Sequence, residues 1–567
     1  MTDEWDAVVV GSGPGALTAA ACLSAAGRRV MVLERHDLAG GNSQVFRRRH
    51  QGAEYEFDVG VHYIGDCGPG GLFPTILGAL GVGDRVGFRP LDPDGFDTVT
   101  FPDVELRVPA GWDAYRERVI EVLPGDADGI GRYFDLLHAV AREARDRMLP
   151  GASTPTFDEW AGRTVAELFA ACGLGERAAA VLDHWSGLYA GAPSQTAVSM
   201  QALMVDHYMR GAYYPEGGGQ VIPARLVQVI EAHGGEVRTL APVERIVVDG
   251  GRVRGVRLAG GEVVEAPLVV SGADHRRTVL DLVGREHWSA PTLRWVEQAT
   301  MTVGLVCAYV VVDMELPGPN TNYHVFPDYD LEGMYRRLDG GDAGPASAAY
   351  VSLASRKDPG NRHLCPPGHT NFQVMTLAPR GYGFWGVESG PAQGGTYRRE
   401  AVYRERKALI TERLLVAAER VLGPFRDRIV HLETATPVSQ ERYTHSTGGT
   451  SYGYQHSPAQ SGSNRPAHRT EIEGLWLVGA NTVAGHGIAG TMVGGVRCAG
   501  EILDRPLLVE MYMGTRLAEP GSVPADPVDF DPVEVCRGSA LRARRAAGRA
   551  ARAGAGAGVA ARGPSGG

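Results

Sequence analysis

Apolar runs of strand type and a helical segment alternate along the first forty residues. Residues 6–10 form a short apolar run, residues 17–26 are rich in small helix formers, and residues 28–33 return to an apolar run. Gly27 ends the middle segment as a C-cap residue does. This order predicts a β-α-β unit of about 30 residues with a glycine-rich turn between its first strand and its helix.

The same patterns predict further elements along the rest of the chain. Helical patterns cover residues 112–123, 133–148 and 399–422. Strand patterns cover residues 243–249, 252–258, 269–274, 300–313, 321–327 and 475–478, and the last of these leads into a second glycine-rich turn and a helix through about Leu503. The longest apolar run, 303–312, is about half of the roughly 20 residues that span a bilayer, so we expect no transmembrane helix.

Composition and charge exclude several classes of protein. Of the 567 residues 44% are hydrophobic and 22% charged, which is enough apolar sequence for several folded domains. The net charge of −10 argues against general nucleic-acid binding. Seven cysteines without a CxxC pair, and an N-terminus without a secretory pattern, are typical of a reduced cytoplasmic protein. No His or Cys spacing suits zinc, so we expect no metal.

The C-terminal segment differs from the rest of the chain. Residues 537–567 contain seven Arg, no acidic residue, and otherwise mostly Ala and Gly. We expect a disordered tail here, and weak binding to anionic lipid or nucleic acid is the alternative.

The first glycine-rich turn has the residues that a dinucleotide needs. Gly11 lets the chain turn tightly, Gly13 lets the backbone approach a pyrophosphate, and Ala16 keeps the helix close to the sheet. The N-terminus of the helix then presents free N–H groups to the phosphates. Glu34 follows at the end of the second strand, where a carboxylate accepts hydrogen bonds from ribose hydroxyls and repels a 2′-phosphate, so NADP is disfavoured there.

Two further segments favour FAD over NAD. Gly40 and Gly41 follow the predicted ribose site, and a second backbone approach there suits an extended cofactor. Residues 479–490 form another strand-to-helix turn, whose helix N-terminus suits the negative charge of a reduced flavin. No second GxGxxG follows a strand, so either NADPH or NADH visits the flavin only transiently, or electrons arrive from another donor or leave to another acceptor.

These blocks, in this order, resemble the phytoene desaturase-like FAD-dependent oxidoreductases, and within them the branch of carotenoid isomerase and all-trans-retinol 13,14-reductase. The resemblance extends to about residue 510. It rests on five segments: VVVGSGPGALTAA with LERHDLAGGNS, EFDVGVHYIGD at 56–66, YYPEGGGQVIPARL at 213–226, GRVRGVRLAGGE with VVSGAD, and GLWLVGANTVAGHGIAGTMVGGVRCAGEIL at 474–503.

The resemblance implies an α/β, FAD-binding Rossmann-like fold of the p-hydroxybenzoate hydroxylase or amine oxidase type, with an interleaved substrate domain. The FAD-binding domain would comprise residues 1–90, 215–285 and 430–510. The substrate domain would comprise residues 91–214 and 286–429, and a C-terminal extension would cover 511–567. A hydrophobic polyene or isoprenoid-like small-molecule substrate is also implied.

The resemblance assigns cofactor contacts to individual residues. Gly11, Gly13, Gly15 and Ala16 would hold the pyrophosphate, Glu34 the adenosine ribose, Arg35, Gly40, Gly41 and Asn42 the adjoining part of the cofactor, Val243 the adenine, Gly479, Ala480 and Asn481 the ribityl-phosphate part, and His486, Gly487 and Ile488 the flavin ring. Many relatives have Gly-Asp after the last strand, whereas Ala480 and Asn481 follow Gly479 here. A charged contact to the ribityl chain is therefore missing.

His62 and Tyr63 are the candidates for proton transfer, because the resemblance places their segment near the flavin face. The alternative for His62 is a hydrogen bond to a backbone carbonyl, and the alternative for Tyr63 is a place in the pocket wall. For His486, which lies between two glycines, the two alternatives are that it tunes the flavin or that it caps a turn.

The predicted activity is oxidoreduction at carbon–carbon double bonds by hydride transfer at flavin N5, as reduction, desaturation or isomerisation. One alternative is a flavoenzyme that reductively cyclises a polyene natural product of tetramate macrolactam type. Another is a flavin amine oxidase, which would need an aromatic cage that Trp476 and Tyr452 do not make evident. The glycine motif with Glu34 argues against a non-enzymatic binder similar to Rab escort proteins. A nonpolar substrate favours peripheral membrane contact, and the oligomeric state stays open.

Overall fold

The computed structural model describes residues 5–147, 151–345 and 348–545, in which strands and helices alternate. The strands are β1 (Ala7–Val10), β2 (Val30–Leu33), β3 (Val45–His50), β4 (Ala53–Asp58), β5 (Ile64–Gly65), β6 (Phe88–Pro90), β7 (Asp97–Phe101), β8 (Val104–Val108), β9 (Ala212–Pro215), β10 (Glu236–Arg238), β11 (Val243–Asp249), β12 (Arg252–Leu258), β13 (Val263–Glu265), β14 (Leu268–Ser271), β15 (Leu305–Val312), β16 (Asn322–Val325), β17 (Ala349–Ser352), β18 (Thr370–Leu377), β19 (Ile429–Ala435) and β20 (Leu475–Leu477). The helices are α1 (Pro14–Ala25), α2 (Leu72–Ala79), α3 (Trp112–Val122), α4 (Ala127–Asp146), α5 (Pro155–Trp160), α6 (Val165–Cys172), α7 (Glu176–Leu182), α8 (Val198–Met209), α9 (Val221–Ala232), α10 (His275–Arg277), α11 (Ala290–Gln298), α12 (Leu331–Asp339), α13 (Ala354–Lys357), α14 (Ala401–Leu422), α15 (Pro437–Thr444), α16 (Gly487–Leu503), α17 (Leu507–Tyr512) and α18 (Pro532–Val535).

A five-stranded parallel sheet carries both glycine-rich turns, in the order β10-β2-β1-β14-β20. Its central strands are apolar throughout, as expected for a parallel sheet covered on both faces. Val9 and Val32 pack with α1, α9 and α16 on one face, while Val8 and Leu33 pack with the antiparallel sheet β11-β12-β13 on the other. The predicted β-α-β unit and the hairpin over 243–258 are confirmed.

A seven-stranded mixed sheet forms the second layer, in the order β19-β15-β18-β17-β16-β7-β8. Only β16 and β7 pair in parallel within it. Strand β19 pairs with β15, so the predicted domain boundary at residue 430 falls inside a strand of this sheet. The division into domains otherwise stays a prediction.

The EFDVGVHYIGD segment connects two smaller sheets, the two-stranded sheet β3-β4 and the three-stranded sheet β5-β9-β6. It leaves β4 at Asp58 and enters β5 at Ile64, which places His62 and Tyr63 in the intervening loop. The Asp58 carboxylate is completely buried and accepts hydrogen bonds from the Gly219 backbone N–H (2.8 Å) and from the Tyr214 hydroxyl. The loop is thereby anchored at the point where it leaves the strand.

The C-terminal extension packs against the parallel-sheet layer. Arg225 forms an ion pair with Asp526 (2.7 Å), and Arg542 forms one with Glu231 (2.6 Å). The expected disorder from residue 537 is therefore wrong for 537–545, because ion pairs hold these residues, and the remainder of the tail lies outside the described residues. Within the described ranges, no helix has both the length and the apolar character needed to cross a membrane.

Candidate active site

A cavity of about 2700 Å³ is lined by residues of both large sheets. Typical ligand pockets measure roughly 300–1,000 Å³, so this one has room for an extended cofactor together with a substrate. Every predicted site residue except Gly40 lines it. Residues from the two ends of the sequence therefore meet at a single site.

The turn after β1 fits a pyrophosphate. Gly11 has a φ of +86°, which favours glycine. No described atom lies within 4 Å of a Cβ built on Gly13, whereas a Cβ on Gly15 would lie 2.8 Å from the carbonyl oxygen of Thr491. Gly13 thus leaves open space beside the N-terminus of α1, and Gly15 allows α1 to pack closely against α16.

Glu34 lies at the end of β2 with its carboxylate fixed in place. One oxygen accepts hydrogen bonds from the backbone N–H (3.0 Å) and hydroxyl (2.6 Å) of Ser12, and the other from the His36 N–H (2.7 Å). The oxygen that accepts from His36 retains capacity to accept a further bond from a ribose hydroxyl. Val243 begins β11 close by, because the Ala241 N–H donates to the Glu34 carbonyl oxygen (2.8 Å).

The glycine doublet after β2 packs against the first turn. A Cβ on Gly41 would lie 2.8 Å from the Cα of Gly13, so the two glycines let the segments touch. Gly40 has a φ of +134°, and its missing Cβ faces the side chains of Gln220 and Pro223 at 3.1 Å. Gly40 does not line the cavity, and its backbone conformation and close packing already account for the glycine, so its contact with the cofactor stays a prediction.

Arg35 and Asn42 join this side of the cavity to α15. Arg35 donates to the carbonyl oxygen of Tyr443 (2.8 Å), and Asn42 Oδ1 accepts from the Gln440 side chain (2.8 Å). Both residues line the cavity, so their remaining polar atoms border the predicted cofactor site.

The loop after β20 forms the opposite wall. Gly479 has a φ of +99°. Asn481 accepts a hydrogen bond from the Tyr454 N–H at Oδ1 (2.9 Å), so the amide nitrogen is what Asn481 offers a ligand. A hydrogen bond donor at this position suits the ribityl hydroxyls, as predicted for Asn481 in place of the acid of many relatives.

A buried arginine lies beneath this loop. Arg465 is 3% exposed and donates to the carbonyl oxygens of Ala480 (2.6 Å), Thr482 (2.9 Å) and Gln460 (2.9 Å). It forms no ion pair with a carboxylate in the described part of the chain, and burial lowers its pKa to about 10. A buried cation held by carbonyl groups alone favours an anion in the adjoining cavity, and an anionic flavin dinucleotide fits.

His486 is bound through both ring nitrogens. Nε2 lies 2.9 Å from the Leu188 carbonyl oxygen and Nδ1 lies 2.8 Å from His456 Nε2. Because a carbonyl only accepts, the proton of His486 sits on Nε2, and His456 donates to Nδ1. Burial lowers the pKa of His486 to about 4 and that of His456 well below its ordinary value, so both rings are neutral at pH 7.

His62 has a different environment from its neighbour Tyr63. The His62 imidazole lines the cavity and forms no hydrogen bond with the described residues, while its carbonyl oxygen accepts from Lys357 Nζ (2.7 Å). Burial, and then the charge of Lys357, lower the pKa of His62 to about 3. The Tyr63 hydroxyl donates to Asp97 (2.9 Å), and burial followed by the Asp97 charge raise the pKa of Tyr63 well above its ordinary value.

Asp97 is a buried acid that sequence reasoning missed. Its carboxylate also accepts hydrogen bonds from Trp185 (2.8 Å) and Asn322 (2.9 Å), and His324 Nε2 lies 3.4 Å away. Although burial acts to raise the pKa of Asp97, His324 and these hydrogen bonds lower it overall. The acid therefore stays ionised and holds Tyr63 in place.

A row of directly paired residues crosses five strands of the seven-stranded sheet. It runs from Ala435 through Cys307, Met375 and Tyr350 to His324, each the cross-strand partner of the next. All five line the cavity. Paired residues share a face and neighbouring strands lie about 4.8 Å apart, so this sheet row is about 19 Å long. The site thus has an extended, mostly apolar floor.

The residues missed from the sequence are those whose role depends on long-range pairing: Asp97, His324, Arg465, His456 and the sheet row. An acid at the start of the strand DTVTF, as at Asp97, was the one available signal. Among the described residues, no group of three or more His, Cys, Asp or Glu is arranged to hold a metal ion.

Several known proteins are similar to this chain in sequence or in fold. All-trans-retinol 13,14-reductase of Danio rerio is 27% identical over 558 residues, covering 92% of this chain and 90% of the relative. Chloroplastic prolycopene isomerase 1 of an Oncidium hybrid cultivar is 26% identical over 519 residues, covering 88% of this chain and 83% of the relative. The crystal structure of an oxidoreductase from Methanosarcina mazei shares the fold, with a TM-score of 0.57 at 17% identity over 88% of this chain and 100% of that one.

A family model described as flavin containing amine oxidoreductase matches residues 17–305, just over half of the chain. The predicted fold class and the predicted dependence of an oxidoreductase on flavin are thereby confirmed. The chain belongs to the family of flavin containing amine oxidoreductases.

Proposed function

We propose that this chain is an FAD-dependent oxidoreductase acting on carbon–carbon double bonds of a hydrophobic polyene. The sheet row carries this proposal, because it gives an extended apolar floor in the same cavity as His62 and the predicted flavin residues. The names of the relatives support it, since retinol and prolycopene are both polyenes. Reduction, desaturation and isomerisation would each need a flavin beside an extended apolar surface, so the proposal includes all three reactions.

The cofactor would be held by the chain's two glycine-rich turns. Gly11, Gly13, Gly15 and Ala16 hold the pyrophosphate, Glu34 the adenosine ribose, Arg35, Gly41, Asn42 and Val243 the adenosine side, and Gly479, Ala480, Asn481, His486, Gly487 and Ile488 the flavin side. When bound, the flavin supplies hydride transfer to or from carbon. Arg465 stabilises negative charge at this site from beneath the Ala480 loop.

His62 is the residue we assign to proton transfer with the substrate. Its neutral imidazole lines the cavity and has a lone pair available at pH 7. Tyr63 directs its hydroxyl proton to Asp97 instead of the cavity, so we assign it to positioning the wall of the site. In a desaturation its lone pair would accept the proton that leaves the substrate carbon, and in a reduction its ring N–H would supply the proton that accompanies the hydride.

The amine oxidase alternative finds less support in the same cavity. Tyr452 lines it, 4.8 Å from the His486 ring, but Trp476 lies in β20 and packs with the parallel-sheet core. An aromatic cage from these two residues is therefore not formed. A polyene, by contrast, fits the apolar sheet row that already lines the cavity.

An anaerobic absorption spectrum, taken before and after adding NADPH or NADH, tests the flavin and its reductant. We expect a flavin band that bleaches, followed by double-bond reduction when all-trans-retinol is added. A band that persists would assign the electrons to another donor, or to a desaturase that passes them to oxygen or quinone. Absence of flavin after reconstitution with FAD would contradict the proposal, and so would bleaching by putrescine without conversion of any polyene.

A further inference from the structure

The sheet row ends at β19 beside a strongly basic part of the cavity. Four basic side chains line it beyond Ala435, and we call them the basic end: Arg48, Arg398, Arg404 and Lys407. They come from β3, from α14 and from the segment before α14. Glu433, on the same face of β19 as Ala435 and two residues away, lies among them.

The charges of the basic end are not balanced by the protein. Glu433 is used by Arg48, which binds it through two hydrogen bonds of 2.6 and 3.0 Å. Arg398, Arg404 and Lys407 form no ion pair with a carboxylate among the described residues. Burial lowers the pKa of Lys407, and the charge of Glu433 opposes this shift. Arg398 and Arg404 are exposed and Lys407 is half-buried, so all three cations are able to meet a ligand.

The opposite end of the sheet row has the reverse character. Near His324 the cavity is lined by Phe326, Met204 and Met334, which pack in one apolar cluster with Tyr63. The β16 end of the cavity is thus mostly apolar, and its Arg337 is paired with Asp330 (3.6 Å), whereas the β19 end, about 19 Å away along the row, has cations without such partners. A ligand that fills it needs an apolar chain with an anionic group at one end.

We propose that the basic end binds an anionic head group of the substrate, a carboxylate or a phosphate, while the polyene chain lies along the sheet row. This rests on the proposed function and narrows its substrate class to anionic amphiphiles. Arginine and lysine donors recognise such oxyanions by charge-assisted hydrogen bonds, which a neutral hydroxyl does not match. The head group also fixes which double bond reaches His62, because the row sets the distance between them.

The test compares two ligands that share one polyene and differ in the head group, retinoic acid and all-trans-retinol. Their affinities for the FAD-loaded protein are measured by flavin fluorescence quenching, with wild type, the R404Q/K407Q double variant and the control R420Q. Arg420 is exposed on α14 and does not line the cavity, so R420Q removes a charge from the same helix outside the site. We expect wild type and R420Q to bind retinoic acid about tenfold more tightly than retinol, because charge-assisted bonds exceed neutral ones. We expect the double variant to lose this preference and to keep its affinity for retinol.

Equal weakening of both ligands, or a preference that survives in the double variant, would overturn the inference. It would also be overturned if the double variant weakened binding of NADPH but not NADH and kept the preference, because the basic end would then serve the reductant's 2′-phosphate. Failure of the wild type to bind either polyene would instead contradict the proposed function itself.

Discussion

His62 and His486 face the same cavity, yet their surroundings differ. Each was predicted at the flavin, and burial lowers the pKa of both, to about 3 and about 4. The His486 ring forms two hydrogen bonds, one with the His456 ring and one with the Leu188 carbonyl oxygen. The imidazole of His62 forms none with the described residues.

The comparison shows that protonation state alone does not identify the reactive group. A buried imidazole with two protein partners has no nitrogen left for a ligand, and its removal destabilises the protein because both partners lose a hydrogen bond. A buried imidazole without protein partners is free to bind a ligand, and its removal leaves no protein group unsatisfied. We therefore infer that His62 serves chemistry and that His486 serves the architecture of the flavin wall.

Replacing His62 by Ala gives the largest expected effect. We expect polyene turnover to fall about 100- to 1,000-fold, because general acid–base groups contribute on that scale. Flavin content should stay unchanged, since the His62 ring packs against Tyr350 (5.9 Å between centroids), which belongs to neither glycine-rich turn. Turnover is measured in single-turnover reactions under anaerobic conditions, and flavin content by absorbance.

The control for this prediction is His62→Gln, which keeps a polar side chain but removes the titratable lone pair. It should be as inactive as His62→Ala. Full activity in His62→Gln would show that hydrogen bonding is the only role of His62 and would remove the contrast with His486.

Replacing His486 by Ala should act mainly on stability. The change leaves His456 and the Leu188 carbonyl without their shared partner, which costs about 2–3 kcal/mol for two buried polar groups. We expect a lower urea midpoint and easier flavin release, followed by flavin fluorescence. His486→Gln, whose amide both donates and accepts, should restore most of the loss. If His486→Gln restored stability and flavin binding but turnover stayed abolished, His486 would have a chemical role.

Acid pH should distinguish the two histidines further. His486 titrates near 6.5 when unfolded but near 4 when folded, so the unfolded chain binds more protons between these values. Stability therefore falls as the pH drops from about 6.5 to about 4. His486→Gln should reduce that fall by about 3 kcal/mol, measured as urea midpoints at several pH values. An unchanged slope would mean that His486 has the same pKa in the folded and the unfolded chain.

Local patterns predicted the β-α-β unit and its glycine-rich turn, which the structure contains. Gly11, Gly13 and Glu34 lie within this one unit and line the cavity, while their contacts with the cofactor stay predictions. Gly40 does not line the cavity, and a glycine that φ and packing require looks identical in sequence to one that a ligand requires.

The substrate half was predicted least. The sheet row depends on the register between β15, β18 and β19, whose residues lie more than 50 positions apart, and sequence periodicity does not specify that pairing. Arg465 was missed for a similar reason: its carbonyl partners are set by the loop conformation and carry no side-chain signal.

The smallest expected effect belongs to Tyr63→Phe, and it tests whether His62 acts alone. The change removes one of the donors to Asp97 but leaves those from Trp185 and Asn322, so the acid stays bound. We expect a loss of about 1 kcal/mol in stability and little change in turnover or in the flavin spectrum. Urea midpoints and the single-turnover assay used for His62→Ala provide the measurements. If Tyr63→Phe abolished turnover as completely as His62→Ala, the proton would have to pass through Tyr63 and Asp97, and His62 would become the positioning residue of the pair.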